Sequence, residues 1–236
     1  MGLIKIKNVC KSYETNHVLS NVSMTVKNGD FIVLYGKSGI GKSVLLRLIL
    51  GIEKPDSGSL EINQTKPNIG ILFQQGALFD SMSIYENVAF PLHAQNMYAG
   101  RNHSSDYIHE QTMNALEEVG LHEWLNKLPD QLSGGMQRRA AIARLMTQSP
   151  DIMLFDEPTS GLDPITSASI TQYIEKLKKR KKTTSILVTH DIDSGLKLGN
   201  HFYFLDEKKL IFSGIKKKLM ESKNPTIQAF LGKIRR

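Results

Sequence analysis

Phe31-Ile32-Val33-Leu34-Tyr35-Gly36-Lys37-Ser38-Gly39-Ile40-Gly41-Lys42-Ser43 carries more structural information than any other segment of this 236-residue chain. Its first five residues form a continuous apolar run, the pattern of a strand buried on both faces. Gly36 to Gly41 is a glycine-rich loop. Lys42 to Leu50 then leaves almost no polar stripe, which predicts a buried helix with Gly51 as its end cap. Gly36 to Ser43 matches G-x-x-x-x-G-K-[ST] in full. Polyphosphate is crowded with charge and needs many donors close together. Glycines let a loop aim successive N–H groups inward, and the helix behind them adds its positive end. Lys42 can then reach the outer phosphates, and Ser43 can ligate Mg²⁺.

The flanking sequence alternates between strand and helix patterns. Leu3 to Val9 and Val22 to Val26 read as strands, the second ending at the turn Asn28-Gly29. Further strand-like runs lie at Ser59 to Ile62, Ile69 to Phe73, Ile152 to Phe155, Ser185 to Thr189 and His201 to Leu205. Pro164 to Lys179 reads as a helix. From Ser83 to Leu145 strong strand runs are missing and several helices are expected, Asp106 to Val119 being the clearest. Strand–helix alternation, a helical block, then alternation again predicts an α/β core with a helical insert. No internal repeat or low-complexity tract interrupts it.

Composition narrows the function classes. An apolar fraction of 40% with 22% charged residues is that of a globular protein. No apolar stretch approaches the roughly 18 residues of a bilayer span, so the chain is not expected to cross a membrane by itself. Its amino end lacks a signal peptide's apolar core, and Ile6 stands where a myristoylation motif wants Ser or Thr. One cysteine, Cys10, excludes an internal disulfide and suits a reducing compartment. Thirty basic against 23 acidic side chains give +7, concentrated in Lys178 to Lys182 and Lys216 to Lys218. These runs read as a solvated helix end and a solvated turn, with contact to an anionic membrane face as the alternative.

Two more constellations carry chemistry. Ile152 to Phe155 ends in Asp156-Glu157, and consecutive strand residues point to opposite sides, so the two acids should have separate tasks. Asp156 is placed to hold the Mg²⁺ shell, directly or through water; Glu157 is placed to polarise a water for attack on a γ-phosphate. Leu132-Ser133-Gly134-Gly135-Met136-Gln137 precedes a helical run, Arg138 to Met146. A hydroxyl, free N–H groups and a helix dipole make a second anion-binding element there. One nucleotide held between two copies of the chain would use both elements.

These segments resemble the nucleotide-binding subunits of ATP-binding cassette (ABC) transporters. The match covers nearly the whole chain, and LSGGMQ is far more specific than the phosphate loop. The resemblance implies a single ABC ATPase domain over 1–236. Residues 1–82 and 151–236 would form a P-loop NTPase (RecA-like) core with an antiparallel β subdomain, and 83–150 a helical subdomain carrying the signature. ATP would contact Tyr13, Gly36, Lys37, Ser38, Gly39, Ile40, Gly41, Lys42, Ser43 and Val44, with Tyr13 stacking on adenine. Ser133, Gly134, Gly135 and Gln137 would contact ATP bound to a second protomer, and Asp163 lies in the loop that communicates across the dimer. Mg²⁺ would be held by Ser43, Gln74 and Asp156, and hydrolysis served by Glu157, His190 and Gln74. Two protomers would pack head to tail, closing on ATP and opening on hydrolysis.

The segment Gln74-Gln75-Gly76-Ala77-Leu78-Phe79, continuing to Asn87-Val88-Ala89-Phe90-Pro91-Leu92, is similar to that of the Mla-type (toluene-tolerance or Mce-associated) lipid-transport ATPases. Asp163-Pro164-Ile165-Thr166 and the tail Asn224 to Leu231 are similar too. That resemblance implies a peripheral subunit at the cytoplasmic face of a bacterial inner membrane. Its permease would be MlaE-like, contacted near Gln74 to Leu92, and an MCE-domain substrate-binding protein would be an indirect partner. The apolar groove would equally suit another permease, leaving lipoprotein release, small-molecule import or a division-associated complex as alternatives. Two features depart from the pattern: Gly58 to Gln74 is short, and Lys37 replaces the usual proline. Ribosome-acting members usually carry two cassettes in one chain and repair members a long coiled-coil insert, neither of which fits here. The basic runs also lack the interleaved aromatics of a stacking nucleic-acid surface. Titration with RNA and DNA across a salt series should accordingly give negligible, salt-insensitive binding at physiological ionic strength; tight, salt-steep binding would contradict this assignment.

Overall fold

The computed structural model describes residues 2–180 and 183–232. In chain order its elements are β1 (Gly2–Tyr13), β2 (Asn16–Lys27), β3 (Phe31–Tyr35), α1 (Lys42–Ile49), β4 (Ser57–Ile62), β5 (Ile69–Leu72), α2 (Ile84–Tyr98), α3 (Ser105–Glu118), α4 (Gly134–Gln148), β6 (Ile152–Asp156), α5 (Pro164–Arg180), β7 (Thr184–Thr189), α6 (Ile192–Leu198), β8 (His201–Asp206), β9 (Lys209–Gly214), α7 (Lys216–Met220) and α8 (Pro225–Leu231). They divide into two units. One draws on Met1–Ile69, Ile152–Glu157 and Lys181–Arg236, the other on Gly70–Asp151 and Pro158–Arg180.

The first unit is α/β. Its strand order runs β6-β7-β3-β8-β9, with β6, β7, β3 and β8 parallel and β9 antiparallel at the end. Every residue of β3 and β7 is buried, which is why Phe31 to Tyr35 reads as a continuous apolar run rather than an alternating one. Aromatic packing closes the core. Tyr35 lies 6.0 Å from Phe202 and 5.5 Å from Phe230, and Phe230 meets Phe204 edge-on at 5.0 Å, so α8 is docked by its aromatic side chain. The Tyr35 hydroxyl, buried with the ring, donates to the Ile192 carbonyl at 2.9 Å.

A second sheet, in the order β2-β1-β4, is wholly antiparallel. Both strands of its hairpin extend well beyond the segments the alternation marks, pairing to Tyr13↔Asn16 across a tight turn at Glu14 and Thr15. Glu14 takes a left-handed φ of 52°, without the Asn-Gly signal that usually announces such a turn. The strand β9 and helices α6, α7 and α8 are likewise additions to the sequence-based elements. Lys216 to Lys218 open the short helix α7 instead of forming a turn, because Leu219 is buried and holds the segment on the core. Of the other basic run, Lys179 pairs with Glu175 at 3.0 Å near the end of α5, and Lys181 and Lys182 lie outside the described residues.

The second unit is helical. Here α2 packs on α3 and α4, and α4 packs on α5. Besides the expected 83–150 it takes in residues 70–82, 151 and 158–180, the last of these because α5 packs on α4. Ala89, Leu92 and Ile108 form an apolar cluster with Tyr85 against it. Ser83 and Glu86 form a reciprocal capping box at the start of α2. Asn87 is fully buried and clamps the approach to that helix. Its carbonyl accepts from Phe79 N–H at 2.7 Å, and its amide donates to the carbonyls of Phe79, Met82 and Ser83 at 3.0–3.1 Å. Asn87→Ala leaves these backbone groups without their partner in a dry site. The expected cost is about 1–3 kcal/mol, seen as a fall of about 2–12 °C in the thermal midpoint of the purified chain.

Candidate functional site

The glycine-rich loop delivers α1 in the geometry that an anion site requires. The cap of α1 is Gly41 at φ 107°, and a Cβ there would sit 2.7 Å from Val18 Cγ1, so both backbone and space demand glycine. Lys42 follows, only 4% exposed. Its ammonium donates to the carbonyls of Gly36 and Lys37, each at 2.9 Å, and pairs with Glu157 Oε1 at 3.2 Å. A buried charge survives only with such partners. A phosphate reaching this ammonium substitutes one set of oxygen acceptors for another.

Ser43 donates its hydroxyl to Asp156 Oδ1 at 2.8 Å. Burial lifts the Asp156 carboxyl above the ordinary carboxylate range, with the Ser43 hydrogen bond pulling partly back. A desolvated carboxylate beside a hydroxyl is an oxygen pair suited to a hard divalent cation, so these residues fit Mg²⁺. Among the described residues no cluster of three or more His, Cys, Asp or Glu forms a metal site of another kind.

Glu157 is separated from Asp156 by the backbone rather than by strand alternation. β6 ends at Asp156, and Glu157 takes φ 47° while its N–H donates to the Val188 carbonyl at 2.9 Å. Its carboxylate is bracketed. Oε1 faces Lys42; Oε2 lies 2.8 Å from His190 Nδ1 and accepts the His190 backbone N–H at 3.2 Å. The His190 side chain stays about half exposed, at 53%. Such a carboxylate can take a proton from an attacking water while the imidazole beside it holds its orientation.

The helical unit holds Ser133, Gly134, Gly135, Gln137, Gln74 and Asp163. Ser133 caps α4, its hydroxyl accepting from Met136 N–H at 3.4 Å, and the helix begins at Gly134 and Gly135 themselves. At Gly135 a Cβ would stand 2.6 Å from Thr166 Cγ2, so glycine is required for α4 to start beside α5. Gln137 turns back on the loop before it, donating to the carbonyls of Pro129 at 2.8 Å and Leu132 at 3.2 Å. Gln74 donates to Ser160 Oγ at 3.4 Å. Asp163 accepts from the N–H groups of Ile165 and Thr166 at 3.0 Å each, and hydrogen bonding with Thr166 holds its carboxyl below the usual range.

Residues that sequence reasoning missed hold these loops in shape. Arg138, 8% exposed, donates to the carbonyls of Pro158 at 2.9 Å and Ser160 at 3.4 Å. Arg144 donates to Gly76 and Ala77 at 2.9 and 2.8 Å, with its guanidinium 5.7 Å from the Phe79 ring. An available cue was Arg144 standing among Ala140, Ala141, Ile142, Ala143 and Leu145, with Arg138 just ahead of them.

Residues 19–160 match the sequence profile described as ABC transporter. The chain belongs to that family. It is 34% identical to the intermembrane phospholipid transport system ATP-binding protein MlaF of Haemophilus influenzae, over 98% of this chain and 90% of that protein. A Mycobacterium leprae protein named for ribonucleotide transport, mkl, is also 34% identical, over 98% of this chain and 69% of its own length. Among solved structures, the dimeric ATP-binding cassette MJ0796, captured after hydrolysis with ADP and Pi, superposes with a TM-score of 0.79 at 31% identity. That match covers 90% of this chain and 98% of the other. As in the rest of the family, this is an ATPase.

Two substitutions separate nucleotide binding from turnover. Glu157→Gln should keep ATP binding, trap a closed dimer and slow hydrolysis by about 10²–10⁴-fold in a phosphate-release assay; near-normal hydrolysis would remove Glu157 as the base. Lys42→Ala should weaken ATP itself by about tenfold or more in a binding titration.

Proposed function

We propose that this chain is the ATP-binding and ATP-hydrolysing subunit of an ABC transporter that moves phospholipid between membranes. The observation that carries the proposal is the match to MlaF, which extends over nearly the full length of both proteins. The buried Lys42–Glu157–His190 arrangement supports the enzymatic half of it. Ser43 and Asp156 would hold Mg²⁺; bound there, the ion would supply charge neutralisation on the phosphate oxygens. Lys42 binds the outer phosphates, Glu157 takes the proton from water, and His190 keeps Glu157 oriented. The chain works as a head-to-tail homodimer in which Ser133, Gly134, Gly135 and Gln137 of one protomer face the nucleotide of the other. The dimeric state of the related cassette supports that assembly.

No described helix is long and apolar enough to cross a membrane, and the transport path would belong to a separate MlaE-like permease. Phe79, on a loop held by Asn87 and Arg144, and Phe90, on α2, have rings 4.8 Å apart, are 42% and 37% exposed, and offer that permease an apolar contact. The ATPase would sit peripherally at the cytoplasmic face of the inner membrane, with an MCE-domain protein completing the system. The alternative reading is small-molecule import, and a protein of equal identity named for ribonucleotide transport supplies the cargo to test it with. Reconstitution with the cognate permease in fluorescent-phospholipid vesicles distinguishes the two. ATP-dependent lipid movement, abolished by Glu157→Gln, is expected; ATP turnover coupled to nucleotide uptake without lipid movement would replace phospholipid as the cargo.

A further inference from the structure

Tyr13 ends β1 at the hairpin turn and is held by side chains from two other segments of the same unit. Its hydroxyl donates to Glu53 Oε2 and accepts from Arg47 Nη2 at 3.2 Å. Arg47 and Glu53 are themselves joined, Nε to Oε1, at 2.5 Å. The three side chains thus close a ring of charge-assisted hydrogen bonds, the class that fixes geometry best. The Tyr13 hydroxyl and the Arg47 guanidinium hold the Glu53 carboxyl below the usual range, so the ring stays charged through neutral pH. Behind it, the Lys11 ammonium stands 5.4 Å from the Tyr13 ring centroid and is anchored by the Lys54 carbonyl at 2.9 Å and Asp56 at 3.2 Å. Tyr13 nevertheless remains 40% exposed, leaving aromatic surface for a planar ligand.

Arg47 lies on α1, the helix whose first residues are Lys42 and Ser43. Glu53 lies just beyond that helix, after Gly51 has turned the chain at φ 73°. The ring therefore ties an exposed aromatic on the antiparallel sheet to the same rigid helix that presents the phosphate-binding groups. We propose that Arg47 and Glu53 are positioning residues for the nucleotide base, setting the orientation of the Tyr13 ring relative to the phosphate loop. The proposal rests on Tyr13 being the platform for adenine. Holding the ring before ligand arrives removes its ordering cost from the binding step, and that gain applies to a ligand that carries a base.

Tripolyphosphate separates base from phosphate. The full chain is titrated calorimetrically with ATP and, separately, with tripolyphosphate, both with Mg²⁺. Tyr13→Phe, Glu53→Gln and Arg47→Met should each weaken ATP by about two- to tenfold and leave tripolyphosphate unchanged, with Arg47→Lys retaining part of the wild-type affinity. Tyr13→Ala should lose at least as much on ATP and nothing on tripolyphosphate. If Tyr13→Ala weakens ATP while the three tether variants bind it like wild type, the platform stands and the positioning role is overturned. If Tyr13→Ala itself binds ATP normally, the platform fails and the positioning role falls with it. Equal losses on both ligands would mean that the variants distort the phosphate loop, which also overturns the role.

Discussion

A lysine ammonium kept out of water is the constraint around which the α/β unit is arranged. Lys42 cannot be buried beside apolar strands without oxygen acceptors on several sides. Two come from its own loop and one from Glu157, which must be carried there by another strand. The parallel register supplies it: Leu34 of β3 and Asp156 of β6 both lie opposite Val188 of β7, so the three strands end at one level. Loops leaving one edge of a parallel sheet are where an α/β protein can gather groups distant in sequence. Lys42, Asp156, Glu157 and His190 are gathered in that way.

Glu157 shows how narrow that arrangement is. Its left-handed backbone turns the side chain away from the path of β6, allowing neighbouring acids to face a hydroxyl and an ammonium respectively. Such a conformation costs a non-glycine residue of order 1–3 kcal/mol and persists where surrounding contacts over-determine it. Here the Val188 carbonyl, His190 N–H, His190 imidazole and Lys42 ammonium do so. The helical unit solves a related problem differently. Polar side chains hold its functional loops by their carbonyls: the buried Asn87 before α2, the buried Arg138 at Pro158 and Ser160, and the half-buried Arg144 at Gly76 and Ala77.

Much of this was legible in advance, and the exceptions have physical causes. The buried strands β3, β6 and β7, and the helices α3 and α5, declare themselves because burial on a strand or on one helix face imposes a pattern on consecutive residues. Of the long β1–β2 hairpin only Leu3 to Val9 and Val22 to Val26 did, since its turn uses Glu14 and Thr15 and its ladder is broken by bulges that interrupt alternation. Strand β9 alternates only weakly at an edge. The phosphate loop, the acidic pair and the serine-glycine corner were visible as motifs because their chemistry restricts residue type as well as spacing. Arg47, Glu53, Asn87, Arg138 and Arg144 were not, because each acts on a partner that folding alone brings near.

The sequence by itself therefore determined the α/β class, the phosphate-binding loop and the residue types able to handle a triphosphate, all properties of short contiguous segments. Only the tertiary structure decided which acid faces Ser43 and which faces Lys42, that Tyr13 is tied to α1, and that the Gln137 amide meets the carbonyls of Pro129 and Leu132. Those outcomes depend on strand register and on backbone turns through left-handed φ. Both arise from packing among segments far apart in the chain, and no local pattern of residue types encodes them.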